Sequence, residues 1–408
     1  MKDNKLPDGW RIDILNNVTS IIRNGANIKQ GEEEGGYPIT RIETISNSFI
    51  DINKLGYAGI EELGKYKDYL LQQGDILMSH INSEKHLGKV AIYENCNIEI
   101  IHGMNLLCFR FSDEIILSKY AYYFFNTKKF KIQLPRITKK SVNQASFSIR
   151  DLKNLKIIIP PLEIQKKIIE VLEKAEKVIE KRKEAIRLLD ELVKSKFIEM
   201  FGDPITNSKG WNVEVLEKYI DVIGGYAFKS TEFINEGIPV LKIGNINAGY
   251  FKSTNLMFWK RDEKLNKYLI KPKDLVISLT GTVGKDDYGN VCIMSDEYEE
   301  YYLNQRNAKL QIKSKSLLNK YYLTYLLKVP EVKKRLTGIN RGVRQANIAN
   351  KDILNLEVPL PPIELQNQFA DFVNEVDKLK FEMEKSLKEL ENNFNSLMQK
   401  AFKGELFN

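Results

Sequence analysis

Between Leu162 and Met200 the chain has no glycine or proline, and its apolar residues recur in steps of four and three. The stepped positions are Ile168, Leu172, Ala175, Ile179, Arg182, Ile186, Leu189, Val193, Lys196 and Met200, apolar at eight of ten, with Lys, Arg and Glu filling most gaps. A stripe repeating every 3.5 residues is the seam of a coiled coil, and a helix of this length spans about 58 Å. Pro160-Pro161 precedes it, where a missing amide costs a helix start little, and Gly202 and Pro204 close it. A shift of 201 residues carries Pro160-Pro161-Leu162-Glu163-Ile164-Gln165 onto Pro361-Pro362-Ile363-Glu364-Leu365-Gln366. The seam then becomes Phe369, Val373, Val376, Lys380, Met383, Leu387, Leu390, Phe394, Leu397 and Ala401, apolar at nine of ten. The same offset relates Gly9-Trp10 to Gly210-Trp211, Pro38 to Pro239, Gln144-Ala145 to Gln345-Ala346 and Asp151 to Asp352.

One duplication of this size predicts a pseudo-two-fold molecule: globular units at 1–159 and 205–359, and helical spacers at 160–204 and 360–408 that pair as an antiparallel coiled coil. Within the first globular unit, short apolar stretches predict strands at Trp10–Ile12, Val18–Arg23, Tyr37–Ile42, Gly74–Ser79, Gly88–Tyr93, Leu106–Phe111 and Leu155–Ile159. A helix follows over Ser118–Phe130, then a basic loop over 131–148. The second unit repeats the pattern, with a two-residue slip at Lys273–Ser278 that is absorbed before Gly289-Asn290-Val291. Many short strands with few helices make each unit α+β. Loops that change length between strands in register are where a scaffold carries specificity.

Charge narrows the class. The chain has 408 residues, a formal net charge of +8 and 43% hydrophobic residues. No apolar run reaches the roughly 18 residues of a membrane span, and MKDNKLPDGW has no hydrophobic stretch behind its charges, so no secretory signal is expected. Cys96, Cys108 and Cys292 lack C-x-x-C spacing, which fits a reducing cytoplasm. Nine basic residues fall between Lys128 and Lys156 against Asp151 alone, and six fall between 329 and 357 against three acids. A basic patch recurring at one place in both halves is the footprint of a polyanion binder. A merely solvated surface is the alternative.

Catalytic signatures are missing. Gly281-Thr282-Val283-Gly284-Lys285 is too short for a P-loop and is followed by Asp286. No dinucleotide fingerprint and no [DN]-P-P-[YF] stretch for base methylation occurs. His80, His86 and His102 form no zinc pattern, and the second half has no histidine. The polar residues shared by both halves, Gln144/Gln345, Asp151/Asp352, Glu163/Glu364 and Gln165/Gln366, suit loops and helix starts. The chain reads as non-catalytic, with no metal or cofactor of its own.

On these residues the chain resembles the DNA-specificity subunit of type I restriction–modification systems. The resemblance spans essentially the whole length and rests on PPLEIQ (160–165) and PPIELQ (361–366), LVISLTGTVGK (275–285), NQR (304–306), GYAFKS (225–230) and the two Gln-Ala positions. The first half departs, with SHINSEKHLGK (79–89) replacing the Thr-Gly-Thr loop and HGMN (102–105) replacing NQR. The resemblance implies two target-recognition domains, each reading a few base pairs of a bipartite double-stranded site, with the helices as a ruler between half-sites. It implies partners as well: two methyltransferase subunits carrying S-adenosylmethionine, which methylate adenine N6, and recruited restriction subunits.

Candidate DNA contacts in the second domain are Thr280, Thr282, Lys285, Arg306, Arg341, Arg344 and Gln345. The matching first-domain set is Ser79, Asn82, Lys85, Lys139, Lys140 and Gln144, with Arg41 and Lys242 as a further symmetric pair. Arg can bridge guanine O6/N7 and Gln can bridge adenine N6/N7, while Lys and Thr more often hold phosphates. Gln144 and Gln345 are equally placed to cap the turn before the last strand. Helix pairing is assigned to Ile168, Leu172, Ile179, Ile186, Leu189, Val193, Phe369, Val373, Val376, Met383, Leu387, Leu390 and Phe394. Val178, Leu188, Leu192, Phe372, Leu379 and Phe381 lie off that stripe, which leaves apolar surface for the globular domains or a partner protein. Two rival readings remain: a coiled-coil structural adaptor, or the DNA-recognition part of a fused restriction–methylation enzyme.

Overall fold

A computed structural model describes residues 6–29, 35–46, 48–94, 97–142, 144–338 and 345–407. The chain divides into two compact units, one formed by Met1–Lys183 with Lys385–Asn408, the other by Glu184–Glu384. Each unit therefore takes in part of both long helices, Leu162–Phe201 and Ile363–Ala401, and does not stop where the predicted globular segments do.

The first unit is built on a four-stranded antiparallel sheet in the order Thr19–Asn24, Leu106–Phe111, Ile76–Ser79, Val90–Ile92. The second has the same sheet in the order Ile220–Gly224, Asn307–Ile312, Leu275–Ser278, Val291–Ile293. Each unit also pairs its opening strand with its last one, Arg11–Ile14 with Lys156–Ile159 and Asn212–Val215 with Glu357–Leu360. Burial of the central strand is total on both faces, as Ile76, Leu77, Met78 and Ser79 show. One face packs on the aromatic helix Ser118–Asn126, which buries Tyr120, Tyr123, Phe124 and Phe125. The predicted helix over Ser118–Phe130 breaks because Thr127 is extended and its hydroxyl accepts the Phe130 amide at 3.2 Å, starting a new turn over Lys128–Lys131. The basic stretch 131–148 is not simple loop; it holds a helical turn at Leu134–Ile137 and strands at Lys139–Lys140 and Ala145–Ser146. The predicted strand at Tyr37–Ile42 shrinks to Pro38–Ile39, since the Arg41 amide donates to Thr44 Oγ1 at 2.8 Å and bends the chain into a 3₁₀ turn.

In the first unit, Ile168 and Leu172 share a core with Met398, Ala401 and Phe402, and the Phe402 ring lies 5.1 Å from Tyr120 and 5.7 Å from Phe124. In the second, Val193, Phe197 and Phe201 share a core with Phe369, Val373 and Val376, and Phe369 stands 5.5 Å from Phe197. Ile179, Ile186, Leu189, Met383, Leu387, Leu390 and Phe394 are half-buried. The stripe departs from the predicted one at its ends. Phe197 and Phe201 are buried where Lys196 and Met200 were expected, and Met398 and Phe402 join Ala401. An α-helix turns every 3.6 residues, so its inward face drifts off a 3.5-residue repeat where it meets a globular core. Gly202 ends the first helix at φ +77°, and a Cβ there would fall 2.4 Å from Ser208 Oγ.

The joint between globular part and helix is made the same way twice. Gln165 is fully buried; its carbonyl accepts the Leu117 amide at 2.9 Å, and its amide donates to the carbonyls of Ile115 and Pro160, both at 3.0 Å. Gln366 repeats this with the Asn319 amide (2.8 Å) and the carbonyls of Leu317 (3.3 Å) and Pro361 (2.8 Å). Replacing Gln366 by Leu keeps the bulk but strands three backbone groups, so stability should fall by about 3 kcal/mol. Urea unfolding checks this; a loss within experimental error would show that the joint does not depend on these bonds.

Candidate nucleic-acid interface

In each unit a short ribbon stands beside the sheet and joins segments about 60 residues apart in sequence. In the second unit Thr280–Thr282 pairs antiparallel with Gln345–Asn347, setting Thr282 opposite Gln345 and Gly281 opposite Ala346. In the first, Ala145–Ser146 pairs with Ile81–Asn82 on one side and Lys139–Lys140 on the other, setting Ala145 opposite both Asn82 and Lys140. The predicted contact residues Asn82, Lys139, Lys140 and Gln144 are thus gathered on or beside one ribbon, as are Thr280, Thr282 and Gln345 on the other. Lys85 and Lys285 are exposed on the loops that leave these strands. Arg341 and Arg344 lie outside the described residues, as does Cys96.

A backbone clasp fixes the second ribbon. The Leu279 amide donates to the Arg306 carbonyl, and the Leu279 carbonyl accepts the Ile348 amide, both at 2.8 Å. Three sequence-distant stretches, LVISLTGTVGK, NQR and the Gln-Ala strand, therefore meet at one residue. Arg306 is exposed on that turn, while Asn307 next to it is fully buried and donates to the Leu241 carbonyl at 2.8 Å. The turn in turn packs on GYAFKS: a Cβ at Gly225 would fall 2.2 Å from the Asn304 carbonyl oxygen, and the Tyr226 amide donates to the Leu303 carbonyl at 2.8 Å. In the first unit His80 takes the place of Leu279, its carbonyl accepting the Phe147 amide at 3.2 Å.

Not every predicted residue faces outward. Ser79 is 1% exposed; its hydroxyl donates to the His86 carbonyl at 2.6 Å and accepts the Lys89 amide at 3.2 Å, so it pins the base of the loop. Thr282 gives its amide and hydroxyl to the two oxygens of Asp287, at 2.7 and 2.8 Å. The Thr282 amide holds the Asp287 carboxyl below its usual range. Asp287 went unnoticed in the sequence because nothing in the first half matches it. Lys140 bridges Glu84 at 2.7 Å with both side chains largely exposed, a contact that a phosphate can displace at little cost. Arg41 and Lys242 belong to neither ribbon. Each follows a residue hydrogen-bonded to a neighbouring turn: Thr40 Oγ1 accepts the Gly103 amide and the Leu241 carbonyl accepts from Asn304. Lys242 Nζ lies 4.4 Å from the centre of the Phe233 ring.

Among the described residues no group of three or more His, Cys, Asp or Glu comes together to hold a metal, and no helix is long and apolar enough to cross a membrane. His102 is 1% exposed; Nε2 donates to the Leu106 carbonyl at 2.9 Å and Nδ1 has no partner. Burial pushes its pKa down to about 4.

The model of the type I restriction modification DNA specificity domain matches this chain twice, over residues 7–188 and 208–392. The chain is 32% identical over 397 residues to the MjaX type I restriction enzyme specificity subunit of Methanocaldococcus jannaschii, covering 92% of this chain and 88% of that one. It is 22% identical over 433 residues to the EcoKI specificity subunit of Escherichia coli, covering 100% and 91%. In fold it is similar to the S subunit of a type I restriction–modification system from M. genitalium (TM-score 0.52, 16% identity, 98% of each chain). It is also similar to a chain from a structural study of assembly and conformational transition in the type I system (TM-score 0.58, 19% identity, 98% of this chain and 100% of that one).

The His102 environment carries a pH signature. Its folded pKa of about 4 lies below the ordinary 6.5, so its neutral form's contribution is complete above pH 6.5 and lost as pH falls from there toward 4. The loss should reach about 3 kcal/mol. The urea midpoint of His102→Gln, which can still donate to Leu106, should vary less with pH across that window; parallel profiles would refute the assignment.

Proposed function

The chain belongs to the type I restriction–modification DNA specificity family, and we propose that its two units read the two halves of a bipartite double-stranded site for partner subunits that carry the chemistry. The observation that carries this is the ribbon made twice, once per unit, from the segments that bear the recurring basic windows. Lys139 and Lys140 lie on the first ribbon, and Lys285 stands exposed on the loop that leaves the second. Gln144 with Lys139 and Lys140 would address the first half-site; Gln345, Arg306, Arg341 and Arg344 with Lys285 would address the second. Thr280, Thr282, Asn82 and Lys85 border the same surface, while Arg41 and Lys242 would hold flanking backbone.

The long helices set the gap. Within each unit the beginning of one long helix shares a core with the end of the other, which supports antiparallel pairing. Lys183 bridges Glu391 at 2.8 Å and Lys380 bridges Asp190 at 2.6 Å. In this reading Lys380 fixes register at modest energetic cost. Val178 in the first unit and Leu188, Leu192, Leu379 and Phe381 in the second, 47 to 65% exposed, are apolar side chains left for two methyltransferase subunits, and restriction subunits would join through them. S-adenosylmethionine would be bound by the methyltransferase, not by this chain.

Two measurements test the reading. Arg344→Ala with Gln345→Ala should weaken binding to the selected site by about 100-fold, and binding to random duplex far less; equal losses would mean the pair touches only phosphate. Removing seven residues from each long helix should shorten the preferred gap by about 10 Å, or about three base pairs, in methylation mapping. An unchanged gap would disprove the ruler.

A further inference from the structure

The second unit contains a cleft of about 980 Å³ between its globular part and the helix segments assigned to it. Six lysines line it: Lys194 and Lys380 from the long helices, Lys285 from the ribbon loop, and Lys328, Lys333 and Lys334 from the helices Lys320–Lys328 and Pro330–Thr337. Only three carboxylates, Asp190, Asp286 and Asp377, oppose them. Lys380 is paired with Asp190 and Lys333 with Asp286. Among the described residues Lys194, Lys285, Lys328 and Lys334 have no carboxylate within ion-pair distance.

The duplication supplies its own control. From Lys320 to Thr337 the two units match at an offset of 202, Asn319 and Tyr322 taking the places of Leu117 and Tyr120. Lys328, Lys333 and Lys334 therefore correspond to Asn126, Lys131 and Ile132, while on the long helices Lys380 and Lys194 correspond to Ile179 and Asn395. The first unit preserves the sheet, the buried glutamine and a ribbon, yet of these five positions it keeps a cation at one, Lys131. A cluster of like charges repels itself and weakens the fold that holds it, so lysines gathered on one side of a repeat point to an anionic ligand.

We propose that this cleft holds backbone phosphates of the DNA read by the second ribbon, an anchor mirrored in the first unit by one of these five cations. The inference rests on the DNA-reading function proposed above. Lys285 belongs to both surfaces, so a strand lying on the ribbon continues into the cleft, and this favours DNA over an acidic protein segment. Tyr250, 59% exposed at the cleft, has Lys252 Nζ 5.2 Å from its ring centre and adds a flat surface beside the cations. The anchor gives no base preference of its own. It makes the second half-site the tighter of the two at low salt.

The test is a polarisation titration of the full chain across a salt series. The probes are a random-sequence duplex and the duplex that the wild type enriches from a random pool. Lys328→Gln with Lys334→Gln should reduce the slope of log K against log salt by about 1 to 2 on both probes, at about 0.9 per phosphate released, and leave the ratio between probes unchanged. Lys194→Gln, on a helix face, should reduce it by about 1 and covers the case in which the double variant fails to fold. Lys388→Gln with Lys400→Gln, outside the cleft, should leave the slope as it is. Wild-type selectivity with an unchanged slope in both cleft variants overturns the anchor alone. A wild type that binds neither probe overturns the DNA-reading function and the anchor with it. An unchanged slope with weaker capture of a methyltransferase subunit would assign the cleft to an acidic protein segment and overturn the proposal.

Discussion

Two buried glutamines tie the architecture together. Gln165 and Gln366 each sit at the first turn of a 40- or 39-residue helix with no exposed surface, and each spends its amide on backbone groups of the preceding globular segment. An amide there is both donor and acceptor on a short stem, so it satisfies a loop and a helix start at once. The direction in which each helix leaves its globular part is set by these bonds, with the adjacent proline pair allowing the helix to begin in the same turn. Any separation between two readers is only as well defined as those joints. A salt bridge could not do this as well, because burying an unpaired charge costs several kcal/mol whenever the geometry slips.

Around that fixed frame the two units diverge where divergence is cheap. The sheets have the same order and closely similar register, while the loops after Ser79 and Ser278 differ in length and chemistry. The hydroxyls of those two serines perform the same task, Ser278 Oγ accepting the Asn290 amide at 3.1 Å and Ser79 Oγ accepting the Lys89 amide. Above them, one ribbon is held by Asp287 on Thr282 and the other carries the Lys140–Glu84 pair. A rigid base with interchangeable upper parts lets one scaffold address unrelated base sequences.

Most of this frame was legible in the sequence because duplication turned weak local signals into repeated ones. The helix starts, most of the sheet strands and the Gln-Ala segments stood out at one offset, with a two-residue slip at Lys273–Ser278. What escaped were contacts that no local pattern encodes. Ser79 looked like a contact residue because it ends an apolar strand before a polar loop, yet its hydroxyl is consumed beneath that loop. The helix stripe was extrapolated to Lys196 and Met200 on a 3.5-residue repeat, whereas Phe197 and Phe201 face a globular core. Gln165 and Gln366 were visible as shared helix-start residues, but two of the three backbone partners of each lie 47 to 50 positions upstream. Lys333 and Lys334 were counted in a basic window; their meeting with Lys194 and Lys285 depends on tertiary packing.

The division of the chain also governs the order in which it can fold. Glu184–Glu384 is continuous, whereas the other unit needs Lys385–Asn408 to complete its core with Met398, Ala401 and Phe402. During synthesis the unit begun first must wait for Met398, Ala401 and Phe402 to leave the ribosome, holding Tyr120, Phe124 and Leu172 without these partners while the later unit closes. Pairings so distant in sequence are slow to form and leave apolar surface open to aggregation in the meantime. The continuous unit thus closes first, and the discontinuous one is completed later.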